Sequence, residues 1–107
     1  MLFIETPVFS EEIKRLLTEE EYRALQSALL ARPDQGPIIR GSGGIRKLRW
    51  GQRTSGKSGG IRVIYYWISK KGIVYLLFAY PKSRVSDLTK DQVRVLRDLV
   101  KEEFPDG

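Results

Sequence analysis

The spacing of apolar residues predicts a strand and a short helix at the start of the chain. The run from Leu2 to Thr6, LFIET, is typical of a strand, and Pro7 should end it because proline has no amide hydrogen to donate to a sheet. Ser10 is then predicted to cap a short helix over Glu11 to Leu17. A first strand followed by a helix is therefore expected.

A second helix has a clearer start signal. Thr18 and Glu21, three residues apart, form a capping box, and Leu17 can pack onto Tyr22. Pro33 ends the helix. The predicted apolar face consists of Tyr22, Leu25, Ala28 and Leu29.

Three strand-like runs follow, bounded by glycine-rich loops. They cover Ile45 to Gly51, Gly60 to Ser69, and Ile73 to Tyr80, and residues 70–72 form the turn between the last two. Consecutive strands need hairpin connections, so these three should pair antiparallel.

The last helix is predicted from a second capping box. Thr89 is the cap and Gln92 its partner, while Leu88 can pack onto Val93. The element order is then β-α-α-β-β-β-α, an α+β domain with a mostly antiparallel sheet and helices on its faces. The apolar stripe of this helix consists of Val93, Leu96, Leu99 and Val100.

Composition narrows the possible chemistry. A chain of 107 residues suits one domain over residues 1–107, and it contains neither cysteine nor histidine. Disulfides, thiolate zinc sites, cysteine nucleophiles and the commonest general base are excluded, and no metal or cofactor is expected. Residues 1–17 carry acidic side chains and no basic leader, and no long apolar run follows, so we expect a soluble, cytoplasmic protein without membrane contact.

Charge is concentrated in the middle of the chain. The net charge is +6, and the stretch from Arg40 to Arg62 contains seven basic residues and no acidic one. This distribution favours a phosphate-rich partner, with solubility alone as the simpler alternative. The seven are Arg40, Arg46, Lys47, Arg49, Arg53, Lys57 and Arg62.

Strand alternation predicts where some of these cations point. In IRKLRW, Lys47 and Arg49 share one face about 7 Å apart, while Leu48 and Trp50 share the other. Arg62 begins an apolar strand, where a charge is costly, and this position favours a functional role.

The loop GQRTSGKSGG between two of the strands is longer than a tight turn requires. Its glycines and basic residues suit close approach of a phosphate chain. Gly59 and Gly60 are predicted to let the chain enter the strand with Arg62 in a shallow cleft. For Lys57 taken alone, a plain flexible loop is an equally good interpretation.

The segments GGIRKLRW, GKSGGIRVIYYW and YLLFAYPKSRVSDLT, in this order, closely resemble the RelE/HigB family of toxins from bacterial type II toxin-antitoxin modules, especially its HigB-like branch. The resemblance implies a RelE-like fold and a ribosome-dependent mRNA endoribonuclease, an mRNA interferase, that cleaves messenger in the A site of the 30S subunit. It also implies contacts with ribosomal RNA and mRNA, neutralisation by a cognate helix-turn-helix antitoxin, and DNA contact only through that antitoxin.

Site residues follow from the same resemblance. Better studied RelE members have an arginine and a tyrosine where this chain has Ser83 and Thr89, and Thr89 is better explained as a helix cap. Tyr66 and Tyr80 are the nearest phenols. The implied catalytic group is Lys47, Arg49, Arg62 and Lys82, and the implied RNA- or ribosome-binding residues are Arg46, Arg53, Lys57 and Arg84.

RNA cleavage by such a group needs no metal. The 2′-hydroxyl is the nucleophile, so the protein must align it, stabilise charge on the phosphorane and move two protons. Arg62 would hold the phosphate bidentately, with Arg49 as a second donor. Lysines crowded by other cations release a proton more readily, which makes Lys47 or Lys82 a candidate acid or base.

Two other functions remain open. ParE-like toxins of the same fold family inhibit DNA gyrase without cutting RNA, and they generally lack such strand-borne cations. A non-catalytic RNA-binding module would need exposed aromatic side chains. The available aromatic residues, which are predicted to build core instead, are Trp50, Tyr65, Trp67 and Tyr75.

Overall fold

A computed structural model describes residues 1–51, 60–84 and 87–105. Within these ranges the predicted order β-α-α-β-β-β-α is confirmed. The elements are β1 (Leu2–Glu5), α1 (Pro7–Leu16), α2 (Glu19–Ala31), β2 (Arg46–Trp50), β3 (Ile61–Ile68), β4 (Ile73–Pro81) and α3 (Lys90–Glu103).

The four strands form one sheet in the order β1-β4-β3-β2. The last three strands form an antiparallel meander, as predicted. Strand β1 joins at the far edge and runs parallel to β4, with Leu2 opposite Ile73. The sheet is therefore mixed but mostly antiparallel, because two of its three pairings come from direct hairpins.

Helix α1 begins four residues earlier than predicted. Its cap is Thr6, whose hydroxyl accepts a hydrogen bond from the Phe9 amide at 3.0 Å and donates to the Leu77 carbonyl at 2.7 Å. The prediction that Ser10 caps the helix is wrong. Pro7 begins α1 instead of only ending the strand, because the first helical position requires no amide donor.

Both predicted capping boxes are confirmed. The Thr18 hydroxyl accepts from the Glu21 amide at 3.1 Å, and Thr89 does the same for Gln92 at 3.1 Å. Each cap's own amide donates to the side chain of its partner. In the described ranges no helix combines the length and the apolar character that crossing a membrane requires.

The sheet is covered on both sides, and we name the two sides after their helices. On the α1/α2 face, Phe9, Leu25 and Leu29 pack onto the strands, and on the α3 face Val100 does so. The strand residues buried on the α1/α2 face are Leu48, Ile61, Val63, Tyr65, Val74, Leu76 and Ala79. Those buried on the α3 face are Ile64, Tyr75, Leu77 and Tyr80.

A β-bulge in β4 changes which side chains face α3. Ile64 pairs with Phe78, but the next residue, Tyr65, pairs with Leu76, so Leu77 is the extra residue. Beyond a bulge, the alternation of side chains is reversed. Consequently Tyr80 lies on the α3 face directly beside Arg62, its partner on β3.

Candidate active site at one end of the sheet

The strand register brings the four predicted catalytic residues to one end of the sheet. Arg49, next to the end of β2, lies opposite Arg62 near the start of β3. Lys47 lies two residues along β2, opposite Ile64. Lys82 follows the last residue of β4, where its amide donates to the Gly60 carbonyl at 3.2 Å. We call Lys47, Arg49, Arg62 and Lys82 the cationic cluster.

The pairing of Arg49 with Arg62 is electrostatically unfavourable by itself. Directly opposed residues on antiparallel strands have Cβ atoms about 5 Å apart, and like charges at that distance destabilise a sheet. A bound anion between or above the two guanidinium groups would remove this repulsion. The pair is therefore suited to holding a phosphate.

Arg62 is more deeply buried than the predicted shallow cleft implies. Only 6% of the residue is exposed, and Nη1 donates to the Ile61 carbonyl at 3.3 Å. Arg49 and Lys82 are exposed. The exposed cations thus meet a ligand first, while the charge of Arg62 acts from inside the protein, where water screens it less.

Tyr80 completes the row of Arg49 and Arg62 across the sheet. Its hydroxyl is buried and has no hydrogen-bond partner among the described residues. Burial, aided by the charge of Asp87, raises the pKa of Tyr80, and the Arg62 charge opposes that rise. The phenol therefore remains protonated at neutral pH, next to the cationic cluster.

Asp87 adds a negative charge that the sequence analysis did not include. Its Oδ1 lies 3.1 Å from Lys47 Nζ and also accepts from the Leu88 amide at 3.0 Å. The hydrogen bond from Lys47 holds the pKa of Asp87 below its ordinary value. Lys47 is therefore not surrounded by cations alone. The position of Asp87, shortly before the capping box of α3, is the feature of the sequence from which a negative charge near the cationic cluster could have been predicted.

Gly60 fixes the entrance to β3. Its φ is +55°, and an added Cβ would lie 2.3 Å from the Trp50 carbonyl oxygen. Only glycine fits such a position. The predicted role of Gly60 agrees with this geometry, while Gly59 lies outside the described residues.

The structure describes two of the predicted RNA- or ribosome-binding residues, Arg46 and Arg84, and they have different surroundings. Arg46 faces away from Lys47 and donates to the carbonyls of Asp34 and Gly36, both at 2.9 Å. Arg84 is exposed, and its Nη1 lies 3.9 Å from Oε2 of Glu12 on α1. Arg53 and Lys57 lie outside the described residues.

Several other cations lie near the cationic cluster and were not predicted as site residues from the sequence. Lys90, Arg94 and Arg97 lie on α3 at helical spacing, and they line one groove with Arg40 and Lys47. Their spacing of i, i+4 and i+7 on a predicted helix indicates that the three cations share one helix face. What it could not reveal was that this face of α3 lies beside β2.

The aromatic residues named above build core, as predicted. Tyr65 and Tyr75 are buried, and Trp50 and Trp67 pack against the core with partial exposure. They do not offer a stacking surface for bases next to the cationic cluster.

Comparison with known proteins supports the fold assignment. No family model matches the chain. A solved structure of an E. coli RelE toxin mutant in the free state superimposes with a TM-score of 0.58 at 17% sequence identity, covering 92% of this chain and 94% of that one. The chain therefore has a RelE-like fold, and at this identity the likeness concerns the fold alone.

Proposed function

We propose that this protein is the toxin of a type II toxin-antitoxin module and a ribosome-dependent mRNA endoribonuclease. The RelE-like fold is one support, because the similar solved structure is that of a toxin. The other support is the cationic cluster, which lies at one end of the sheet. A binding surface for a polyanion is consistent with the net charge of +6.

The observation that carries the proposal is the opposed pair Arg49 and Arg62. Like charges directly opposite each other on neighbouring strands repel. A phosphate with its negative oxygens against the pair offsets that repulsion. Lys82 is a further exposed cation, and its backbone amide lies at the entrance to β3, bonded to the Gly60 carbonyl.

The chemistry we propose is attack of the RNA 2′-hydroxyl on the adjacent phosphorus. The 2′-oxygen forms the new bond, the bond to the 5′-oxygen breaks, and the products end in a 2′,3′-cyclic phosphate and a 5′-hydroxyl. Arg49 contacts nonbridging oxygens, and Arg62 stabilises the extra negative charge of the phosphorane from behind it. Arg62 touches the phosphate directly if its side chain turns outward.

Proton transfer falls to lysine in this proposal, because the chain has no histidine. Lys47 or Lys82 removes the proton from the 2′-hydroxyl, and the other donates one to the leaving 5′-oxygen. Such a site is weak without outside help in aligning the substrate. This is consistent with a requirement for the ribosomal A site, where the messenger is held in place.

The partners follow from the same proposal. The toxin acts in the cytoplasm on the 30S subunit, its ribosomal RNA and the bound mRNA. A helix-turn-helix antitoxin neutralises it and mediates any contact with DNA. Assignment to the HigB-like branch rests on the sequence resemblance described above.

The direct test is expression without an antitoxin, followed by primer extension on a translated reporter. We expect growth arrest and cuts within the coding region that disappear when translation initiation is blocked. The purified protein should cut mRNA on programmed ribosomes and leave the same free RNA intact.

Two results would contradict the proposal. Growth arrest with intact mRNA and inhibited gyrase would favour a ParE-like toxin. RNA binding without toxicity or cleavage would indicate a non-catalytic RNA-binding module.

A further inference from the structure

The chemistry proposed above leaves the buried phenol of Tyr80 without a role. The residue is 1% exposed, and its hydroxyl has no hydrogen-bond partner among the described residues. Most buried polar groups in native proteins have such a partner, because burying a hydroxyl without one is costly. We therefore looked beside Tyr80 for a group that reaches the hydroxyl only while the site is at work.

The ring of Tyr80 is held in place, in contrast to its hydroxyl. It packs against the ring of Phe78 with centroids 5.7 Å apart, and both side chains belong to the core beneath α3. Turning the phenol outward would break this apolar contact. Its cross-strand partner Arg62 has a long side chain with several rotatable bonds, so Arg62 is the member of the pair that can move.

Arg62 can reach the Tyr80 hydroxyl from its place on β3. Directly paired residues on antiparallel strands have Cβ atoms about 5 Å apart, so long side chains on the same face meet. Nη1 of Arg62 donates to the carbonyl of its chain neighbour Ile61 at 3.3 Å, which is long for an N–H···O hydrogen bond. Exchanging this contact for one with the phenol oxygen therefore costs little.

Two charges orient the Tyr80 hydroxyl. Burial raises the pKa of Tyr80, the charge of Asp87 raises it further, and the charge of Arg62 lowers it, so both charges act on the phenol. Hydroxyl dipoles align with the local field. The favourable orientation directs the oxygen towards Arg62 and the hydrogen towards Asp87, which leaves a lone pair ready to accept from the guanidinium.

From these contacts we propose that Tyr80 is a positioning residue for Arg62. When Arg62 turns towards a bound phosphate, one of its N–H groups donates to the Tyr80 oxygen. A guanidinium carries five donors in one rigid plane, so the others remain for the phosphate, and the phenol fixes the direction in which they point. Tyr80 itself neither touches the substrate nor exchanges a proton. Its effect on cleavage rests on the proposed ribonuclease function.

Cleavage kinetics of Tyr80→Phe on programmed ribosomes test the proposal. We expect kcat to fall about tenfold, as for loss of one hydrogen bond to a charged group, and KM to stay unchanged, because the phenol contacts neither messenger nor ribosome. The matched control is Tyr75→Phe, a buried tyrosine on the same face of β4 that pairs with Tyr66, away from the cationic cluster. It should keep wild-type kinetics. Melting curves verify that both variants are folded.

A double-mutant cycle separates positioning from a merely structural role. If Tyr80 acts through Arg62, adding Tyr80→Phe to Arg62→Ala should cause no further loss of kcat. A structural role would lower kcat by the same factor in both backgrounds. That result, or a wild-type kcat in Tyr80→Phe, would overturn the proposal while the nuclease function stands.

A measurement without ribosomes tests the hydrogen bond independently of cleavage. The full chain is labelled with ¹³C at the tyrosine Cζ atoms, and the Tyr80 signal is assigned by its absence in Tyr80→Phe. On addition of inorganic phosphate this signal should shift in wild type and stay in place in Arg62→Ala, while the Tyr75 signal is unchanged in both.

The NMR outcomes are read separately from the kinetics. No shift in wild type, or an equal shift in Arg62→Ala, would overturn the positioning of Arg62 by Tyr80. A shift that depends on Arg62 in a wild-type protein that cuts no messenger would refute the nuclease function and support the positioning.

Discussion

The two faces of the sheet bury tyrosines in different settings. On the α1/α2 face, the Tyr65 hydroxyl accepts from the Gly36 amide at 3.0 Å and donates to the Pro33 carbonyl at 2.7 Å. On the α3 face, the Tyr80 hydroxyl has no partner among the described residues and lies in the same row as Arg62. The Tyr65 hydroxyl is thus satisfied within its own face, where the indole Nε1 of Trp67 is buried without a partner among the described residues, and Tyr80 is the buried hydroxyl that lies next to charge.

The charged residues follow the same division. The core of the α1/α2 face is made of apolar side chains and Tyr65. The α3 face holds apolar core under the helix but carries Lys47, Arg49 and Arg62 at its end. A buried charge is costly unless it is compensated, and the buried charge among the described residues, Arg62, lies on the α3 face. We infer that one face mainly stabilises the fold and the other mainly serves function.

The largest expected effect comes from the apolar face. Leu25→Ala removes a fully buried side chain and should lower the free energy of unfolding by about 3 to 5 kcal/mol. Chemical denaturation measures this loss. Val95→Ala on α3, a residue that is 66% exposed, is the control and should cost little. Equal losses in the two variants would mean that Leu25 is not part of a packed core.

The next effect concerns activity. Arg62→Ala should reduce ribosome-dependent cleavage by roughly 10² to 10³, as loss of a preorganised donor does in other enzymes. Arg62→Lys keeps the charge but loses the planar fork, so it should recover only part of the rate if Arg62 turns outward and contacts the phosphate, and most of it if Arg62 acts by its charge alone. Cleavage on programmed ribosomes is measured for both variants, with Arg23→Ala as charge control.

Burial of Arg62 makes the folding check essential. Circular dichroism and thermal melting must show a folded protein before a loss of cleavage is attributed to chemistry. If Arg62→Ala folds normally and cuts at the wild-type rate, the active site proposed around the cationic cluster is wrong.

A matched pair of tyrosine variants compares the faces directly. Tyr65→Phe leaves the Gly36 amide and the Pro33 carbonyl without their hydrogen-bond partner, and it should destabilise the fold by about 1 to 3 kcal/mol. Tyr80→Phe removes a hydroxyl without a described partner, so stability should stay the same or rise slightly. Thermal melting of both variants tests the contrast. A comparable loss in Tyr80→Phe would mean that its hydroxyl is satisfied in solution.

The smallest effect concerns the ion pair of Lys47 and Asp87. Its lowered pKa means that Asp87 contributes stability above its ordinary pKa of about 3.9, and this contribution is lost as the pH falls through the lower folded value. The exposed pair is worth only tenths of a kcal/mol. In Lys47→Met the pKa of Asp87 should rise towards its ordinary value, as an NMR titration of the carboxyl group would measure. An unchanged titration would mean that the ion pair does not form in solution.

Much of the fold follows from local sequence signals. Capping boxes at Thr18 and Thr89 involve residues three positions apart, so they can be predicted without knowledge of the rest of the chain. The faces of β2 follow from simple alternation, which placed Lys47 and Arg49 together correctly. The prediction of the α1 cap failed because the Thr6 hydroxyl is also held by the Leu77 carbonyl, which is distant in the sequence.

The candidate site depends on pairings that no local signal specifies. Alternation continued from Tyr75 would place Ala79 beside Arg62, and the bulge at Leu77 puts Tyr80 there instead. Arg97 and Lys47 are 50 positions apart in the chain, yet both line one groove.

The sequence alone determined the order of elements, the caps of α2 and α3, and the positive charge near the strands. The tertiary structure decided that β1 pairs with β4, that Arg62 is buried beside Tyr80, and that α3 brings its cations to Lys47. The physical reason is one of range. Caps and alternation depend on backbone geometry within a few residues, whereas register, burial and the neighbours of a helix face are set by packing between segments far apart in the chain.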